Sequence, residues 1–404
     1  MLYSAYQWHT DMTAPLRRAA ELAIVLLNPL RRLPGLGGFA PIGAAWEMLA
    51  RAGLSHERPH YGISQIRLSG REVQVTEEVF HATPFGTLLH FKKKSKISQP
   101  RVLVVAPLSG HFATLLRGTV QTLLPDYDVF LTDWHNARDI PVAAGPFGFD
   151  EYIAHIIDFL EAVGPGSHMI AVCQPCVHAL AAVAVMAADK NPAQPRSMTL
   201  MAGPVDTRVN PTKINALAND KSIEWFERNL ISAVPARHKG GGRRVYPGFV
   251  QISAFVAMKA ARHAQAHREL FTHLVNGNIE KSETFKAFYD EYFAVFDLPG
   301  EFYLETVAKV FQDAALAKGE LTYQGRNVNP GAIKRTVLLT VEGGRDDICA
   351  PGQTVAAHDL CTGLRPAMKR HHLQAGVGHY GVFSGRRWEA EIYPVVRKFI
   401  QSAV

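Results

Sequence analysis

Cysteine is scarce in this chain, with four in 404 residues. So few thiols in so long a chain build no disulfide framework, which fits a reducing compartment. The apolar run Ala19 to Leu27 near the N-terminus is too short to span a bilayer, and Glu21 interrupts it. It also lacks a small-residue cleavage site, so we read neither a transmembrane segment nor a signal peptide there. The 18 histidines show no metal-ligand spacing, and neither a metal nor another cofactor is expected. A net charge of +7 and a pI near 9.2 suggest a mild preference for anionic surfaces. No nucleic-acid-reading motif accompanies that charge, so a role on DNA or RNA is not expected. No internal repeat is visible.

What is present is ordinary soluble-protein composition, 47% hydrophobic and 20% charged residues. The length suits one large α/β domain with an inserted lobe, or two domains. Ile63 to Phe91 alternates apolar and polar residues around a Pro84-Phe85-Gly86 turn, which predicts an antiparallel entry into a sheet. A continuous apolar run stands at Val102–Ala106, and strand-like runs recur at 128–132, 169–172, 198–202 and 336–341, with a last short strand at 369–373. Helical stretches separate them. That alternation predicts a doubly wound, mostly parallel sheet with helices on both faces.

The sheet's chemistry centres on Ser167 to Leu180. An apolar run passes through Cys173 and continues from Val177 to Ala188 as a helix that is apolar on every face and therefore buried. A buried strand, a sharp turn bearing a reactive group and a buried helix are the layout of a nucleophile elbow in an α/β-hydrolase. The strained turn requires compact neighbours two residues either side of the nucleophile. Cys173 has Ala171 and Pro175 there, and proline suits a first helical turn. Cys176 has the bulkier Gln174 and His178, so Cys173 is favoured. Pro175 stands where glycine is usual. Cys173-Gln174-Pro175-Cys176 also has the C-x-x-C spacing of a redox pair, and two buried core cysteines are the plainest alternative.

Partners for a nucleophile follow in hydrolase order. Past the run 336–341, a turn carries Asp346 and Asp347; Asp346 is the better acid because Asp347 directly precedes the inward-looking Ile348. Past the last strand, Gly378-His379-Tyr380-Gly381 presents a histidine between glycines as the base. Asp346 would orient His379, which would take the Cys173 proton. Oxyanion N–H groups are expected from Gln174 and from Leu108 or Ser109, in the Pro107 to His111 loop.

Two further segments remain. Residues 1–60 form an N-terminal segment, predicted as an amphipathic helix with Arg17, Arg18, Arg31 and Arg32 at its flanks. It docks on its own domain or lies on a hydrophobic interface. Residues 206–335 read as an inserted helical lid rich in aromatics, most of them forming its own core. The hydrolase core would then comprise residues 61–205 and 336–404.

The Val172 to Pro175 stretch, the segments Val341 to Ile348 and Gly378 to Gly385, the N-terminal Met1-Leu2-Tyr3 to Trp8 and Asp133 to Arg138 resemble intracellular poly(3-hydroxybutyrate) depolymerases. The resemblance runs over nearly the whole chain. It implies a cytoplasmic, granule-associated ester hydrolase acting on amorphous polyester, with a triad falling on Cys173, Asp346 and His379. Its partner would be the granule surface, and the resemblance leaves room for a homo-oligomer. Polyhydroxyalkanoate synthases also use a cysteine, but place Gly two before it and a Gly pair after it. Here those places hold Ala171 and Pro175-Cys176. A granule-binding protein without turnover is the alternative from another class.

Overall fold

The computed structural model describes residues 2–27 and 40–403; Met1, Arg31 and Arg32, singled out above, lie outside the described residues. The main sheet is built from nine strands: β1 (Gln65–Leu68), β2 (Arg71–Ala82), β3 (Gly86–Lys93), β4 (Arg101–Val105), β5 (Asp128–Trp134), β6 (His168–Val172), β7 (Ser197–Met201), β8 (Val337–Gly343) and β9 (Lys369–Gln374). Their order across the sheet is β1-β2-β3-β5-β4-β6-β7-β8-β9. The first three are joined antiparallel, and β3 meets β5 antiparallel. From β5 to β9 every pairing is parallel. This is the α/β-hydrolase sheet with a hairpin strand added at its first edge.

The central strands are buried without alternation because helices cover both faces. β6 and β7 are buried along their whole lengths, and β4 at every residue but its first. β5 runs two residues further than its apolar run suggested. Asp133 and Trp134 pair with Thr87 and Gly86 and so stay in the ladder. The helix Cys176–Ala188 is buried from Cys176 through Met186, packed between the sheet and the helix Phe149–Val163. Each large aliphatic side chain it buries contributes roughly 1.5–3 kcal/mol, so the element that carries the elbow is also among the most firmly held.

Between β7 and β8 the chain leaves the sheet to form a helical insertion, including the helices Lys213–Asp220, Ile223–Leu230, Gly248–Met258, Ala260–Val275 and Ile279–Tyr292. A small sheet of Ser232–Ala233, Arg244–Tyr246 and Leu298–Pro299 braces it, an addition to the all-helical expectation. Most of the insertion's aromatics are internal: Tyr246, Phe249, Tyr289, Tyr292, Phe296 and Phe302 are buried.

One buried carboxylate ties three parts of the chain together. Asp297, fully buried, accepts hydrogen bonds from the Tyr3 hydroxyl (2.6 Å) and from the Gly248 N–H (2.9 Å). Its own N–H donates to Asn136 Oδ1, and its carbonyl accepts from the Ala137 N–H. The N-terminal helix Leu2–Leu27 is thereby fastened to the loop after β5 and to the insertion. Burial pushes the Asp297 carboxyl up to about 6, against the hydrogen bonds that favour its charge.

Candidate active site

β6 ends at Val172, and Cys173 turns the chain with φ +67°, a left-handed conformation that non-glycine residues adopt at a cost of about 1–2 kcal/mol. Two backbone bonds hold the turn: the Cys173 N–H donates to Met201 O (2.7 Å), and the Cys176 N–H donates to Cys173 O (3.1 Å). Pro175 follows with φ −68°, already helical, and the helix begins at Cys176. Proline is therefore compatible with this turn where glycine is usual. Room on the other side comes from Gly203: a Cβ there would lie 2.1 Å from Cys176 Cβ and 2.9 Å from Cys173 O.

The two cysteines of the C-x-x-C have unlike surroundings. Cys173 is partly exposed, whereas Cys176 is buried beneath the elbow. The Cys176 Sγ faces Ala171 O (3.4 Å) and Met201 O (3.6 Å), and burial raises its thiol pKa well above the usual range. The Cys173 Sγ points instead to His379 Nε2, 3.1 Å away. The two sulfurs therefore have separate partners, and both cysteines are free.

On its other side the His379 ring presents Nδ1 to Asp346 Oδ2 at 2.8 Å. Both side chains are nearly sealed from solvent, His379 5% and Asp346 0% exposed. Asp346 Oδ1 accepts from the Ile348 and Cys349 N–H groups, each at 2.9 Å, so the carboxylate is aimed before anything binds. The turn that carries it is fastened in turn by Glu342, which accepts from the Gly352, Thr354 and Val355 N–H groups. Burial, the largest influence on His379, works against its charge. The Cys173 sulfur and the Asp346 carboxylate outweigh it and raise the imidazole to about 10. The ring thus lies between the Cys173 sulfur and the Asp346 carboxylate, with a nitrogen toward each. Asp347 lies outside this chain of contacts, with its side chain 60% exposed and 3.1 Å from Lys259 of the insertion.

The segments that carry the expected oxyanion donors leave the adjacent strands β4 and β6, paired at Val105 and Ala171. Among the described residues, the Gln174, Leu108 and Ser109 N–H groups have no protein acceptor. The loop bearing Leu108 and Ser109 is anchored at its base by contacts that sequence reading did not foresee. The Ala106 N–H donates to Thr132 Oγ1 (2.9 Å), and Ala106 O accepts from both Trp134 Nε1 (2.8 Å) and the Tyr152 hydroxyl (3.0 Å). Both rings are buried and stacked on each other at 4.4 Å. The Asp133-Trp134 pair was visible in sequence, but only the fold brings Tyr152 to the same carbonyl. The Gln174 side chain turns back toward His178 Nδ1 (3.4 Å). His178 is fully buried and pushed down to about 3 by burial, so it stays neutral.

Among the described residues, no helix is long and apolar enough to cross a membrane. The chain is similar at low identity to several solved hydrolase structures. One is a meta-cleavage product hydrolase from Pseudomonas fluorescens IP01 (16% identity, 84% of this chain and 98% of that one, TM-score 0.40). Others are the naproxen esterase of Bacillus subtilis (13%, 91% and 99%, TM-score 0.40) and a 2-hydroxy-6-oxo-6-phenylhexa-2,4-dienoate hydrolase from Rhodococcus sp. strain RHA1 (11%, 81% and 99%, TM-score 0.42). No curated protein sequence matches the chain. A family model described as "PHB de-polymerase C-terminus" matches residues 202–404, half of the chain, which takes in Asp346, His379 and the whole insertion. The chain therefore belongs to the poly(3-hydroxybutyrate) depolymerase C-terminus family.

Proposed function

We propose that this protein hydrolyses the ester bonds of amorphous poly(3-hydroxybutyrate) on cytoplasmic granules, using Cys173, His379 and Asp346 as nucleophile, base and orienting acid. The observation that carries the reading is the run of contacts from Cys173 Sγ through His379 to Asp346, at 3.1 Å and 2.8 Å, on a left-handed elbow.

In this reading the Cys173 thiolate attacks the ester carbonyl carbon, forming the C–S bond while the carbonyl electron pair moves to oxygen. The Gln174 N–H, with that of Leu108 or Ser109, donates to the oxyanion. Collapse breaks the ester C–O bond, and the departing alkoxide takes the proton from His379 Nε2. The acyl thioester has no charge at sulfur, so His379 loses the anion that held it cationic and becomes a base. It then takes a proton from water as hydroxide adds to the thioester carbonyl. The C–S bond breaks, and thiolate and imidazolium are restored.

The test is incubation of the purified protein with amorphous poly(3-hydroxybutyrate), with and without coenzyme A, followed by product identification. Release of free 3-hydroxybutyrate and its oligomers without coenzyme A is the expected result. Products that appear only as coenzyme A thioesters would make the enzyme an acyltransferase, and granule binding without release would make it a binding protein.

A further inference from the structure

The N-terminal helix Leu2–Leu27 has two faces of opposite function. Its inner face, at Tyr3, Tyr6, Thr13, Arg17, Ala20 and Ile24, is buried or half-buried. Tyr3 is hydrogen-bonded to Asp297, Tyr6 stacks on Phe249 with ring centroids 4.0 Å apart, and Asp11 at the helix flank pairs with Arg237 at 2.7 Å. The helix is thus a fixed part of the molecule.

Its outer face reads Trp8, Met12, Pro15, Ala19, Leu22, Leu26, spaced four and three residues apart and therefore in one line along the helix. All six are exposed, Trp8 by 67%, Leu22 by 66% and Leu26 by 73%. A surface helix ordinarily turns its apolar stripe inward. Here the outer line is the one without a polar side chain, and it has no cover among the described residues. The insertion, in contrast, exposes few of its many aromatics: Phe288 by 53%, Phe271 by 37% and Trp225 by 36%.

We propose that the outer face of this helix is the surface by which the enzyme adsorbs to its polyester particle; the proposal rests on the depolymerase reading above. Three features select that occupant. The helix is about 39 Å long, and its stripe is a single line of side chains. With Trp8 and Pro15 in the line, it suits the regular packing of a second helix poorly. An amorphous apolar phase needs no such complementarity. Charge argues against an anionic lipid surface. The described helix carries Arg17 and Arg18 against Asp11 and Glu21, with no basic rim beside the stripe. An uncharged ester surface requires none. Position supplies the third feature. Phe249, stacked on Tyr6, lies in the helix Gly248–Met258, and the next residue, Lys259, pairs with Asp347 beside Asp346. Through its inner face and one helix about 16 Å long, the helix that bears the stripe is joined to the turn that carries the acid.

The test uses the full-length protein with Trp8→Gln, Leu22→Gln and Leu26→Gln combined, beside a Phe271→Gln, Phe288→Gln variant. Each is sedimented with amorphous poly(3-hydroxybutyrate) particles and with anionic phosphatidylglycerol vesicles, and assayed on a soluble 3-hydroxybutyrate trimer. Far-UV circular dichroism and thermal melting check folding. The helix variant is expected to lose at least tenfold in particle binding, keep its trimer rate and melt like the parent. The insertion variant is expected to bind nearly as well as the parent. Unchanged particle binding by the helix variant overturns the proposal. So does loss confined to the insertion variant, loss of vesicle binding with particle binding intact, or a parent dimer that the helix variant dissociates. Failure of the parent to cleave either ester overturns the depolymerase reading instead, and is seen in the trimer assay independently of sedimentation.

Discussion

Lys259 holds its ammonium 3.1 Å from the carboxylate of Asp347, joining the insertion to the turn that also carries Asp346. Both side chains are largely exposed, so the pair contributes little to stability. It does occupy Asp347, while Asp346 is turned inward to His379. Asp346→Asn is expected to lower kcat on a soluble trimer by roughly 10³-fold or more, since the wrong histidine tautomer would be favoured. Asp347→Asn and Lys259→Ala should stay within about threefold of the parent, the size of a surface ion-pair effect. Steady-state kinetics of the three variants decide the matter, and a reversed ranking of the aspartates would move the acid by one residue.

The nucleophile is separated from its neighbour in the same way. Cys173→Ala should leave only residual turnover, and His379→Ala should match it because the three groups act as a unit. Cys176→Ala keeps the Cys173–His379 contact and should retain turnover. Its cost should be on the order of 1 kcal/mol of stability for the lost packing. Denaturant melts beside initial rates check both. A dead Cys176→Ala with native stability would put the nucleophile there.

The raised imidazole of His379 makes a prediction about protons. In the free enzyme the cationic form is opposed by burial and favoured by the Cys173 sulfur and by Asp346, with the balance at about 10. Below that value the ring keeps its proton, and above it the ion pair is lost, so the alkaline limb of kcat/KM should lie well above the ordinary histidine range. Alkylating Cys173 with iodoacetamide removes the sulfur's charge but not the burial. The His379 pKa should then fall, and about one proton per site should be released in weakly buffered solution near pH 8. Absence of that release would mean that His379 stays cationic without the sulfur's charge, held by Asp346 alone.

The clamp on Ala106 can be separated from the nucleophile. Tyr152→Phe removes one of the two donors to Ala106 O and leaves the stacked ring. A loosened loop should cost roughly tenfold in kcat, less than the 10²–10³ typical of deleting an oxyanion donor outright. KM and the rate of Cys173 alkylation by iodoacetamide should be unchanged, because alkylation needs no oxyanion hole. A parallel fall in alkylation would instead place the effect on the nucleophile.

Much of this molecule was legible along the chain. Mostly apolar runs marked β4, β6, β7 and β8, because strands covered on both faces have no solvent side to alternate with. The elbow was readable because its demands are local: a small residue at Ala171, a helix-compatible Pro175 and an apolar helix directly after. His379 announced itself by its flanking glycines and its place after the last strand. All of these are properties of residues near one another in sequence.

Other features depended on residues far apart. Asp346 and Asp347 are adjacent and alike, and only the turn stapled by Glu342 determines which one faces His379. Tyr152 reaches Ala106 across 46 positions, and Tyr3 reaches Asp297 across 294. The aromatics of residues 206–335 read mostly as the insertion's own core, as Tyr246, Phe249, Tyr289, Tyr292, Phe296 and Phe302 are, but only packing decided which few stay exposed. The N-terminal helix read as amphipathic, and its pattern could not show which stripe would face the protein. Docking of Tyr3 and Tyr6 buried one line and left Trp8, Leu22 and Leu26 in solvent. Periodicity fixes which residues share a face; which face is covered is decided by the partner surface, and that exists only once the chain has folded.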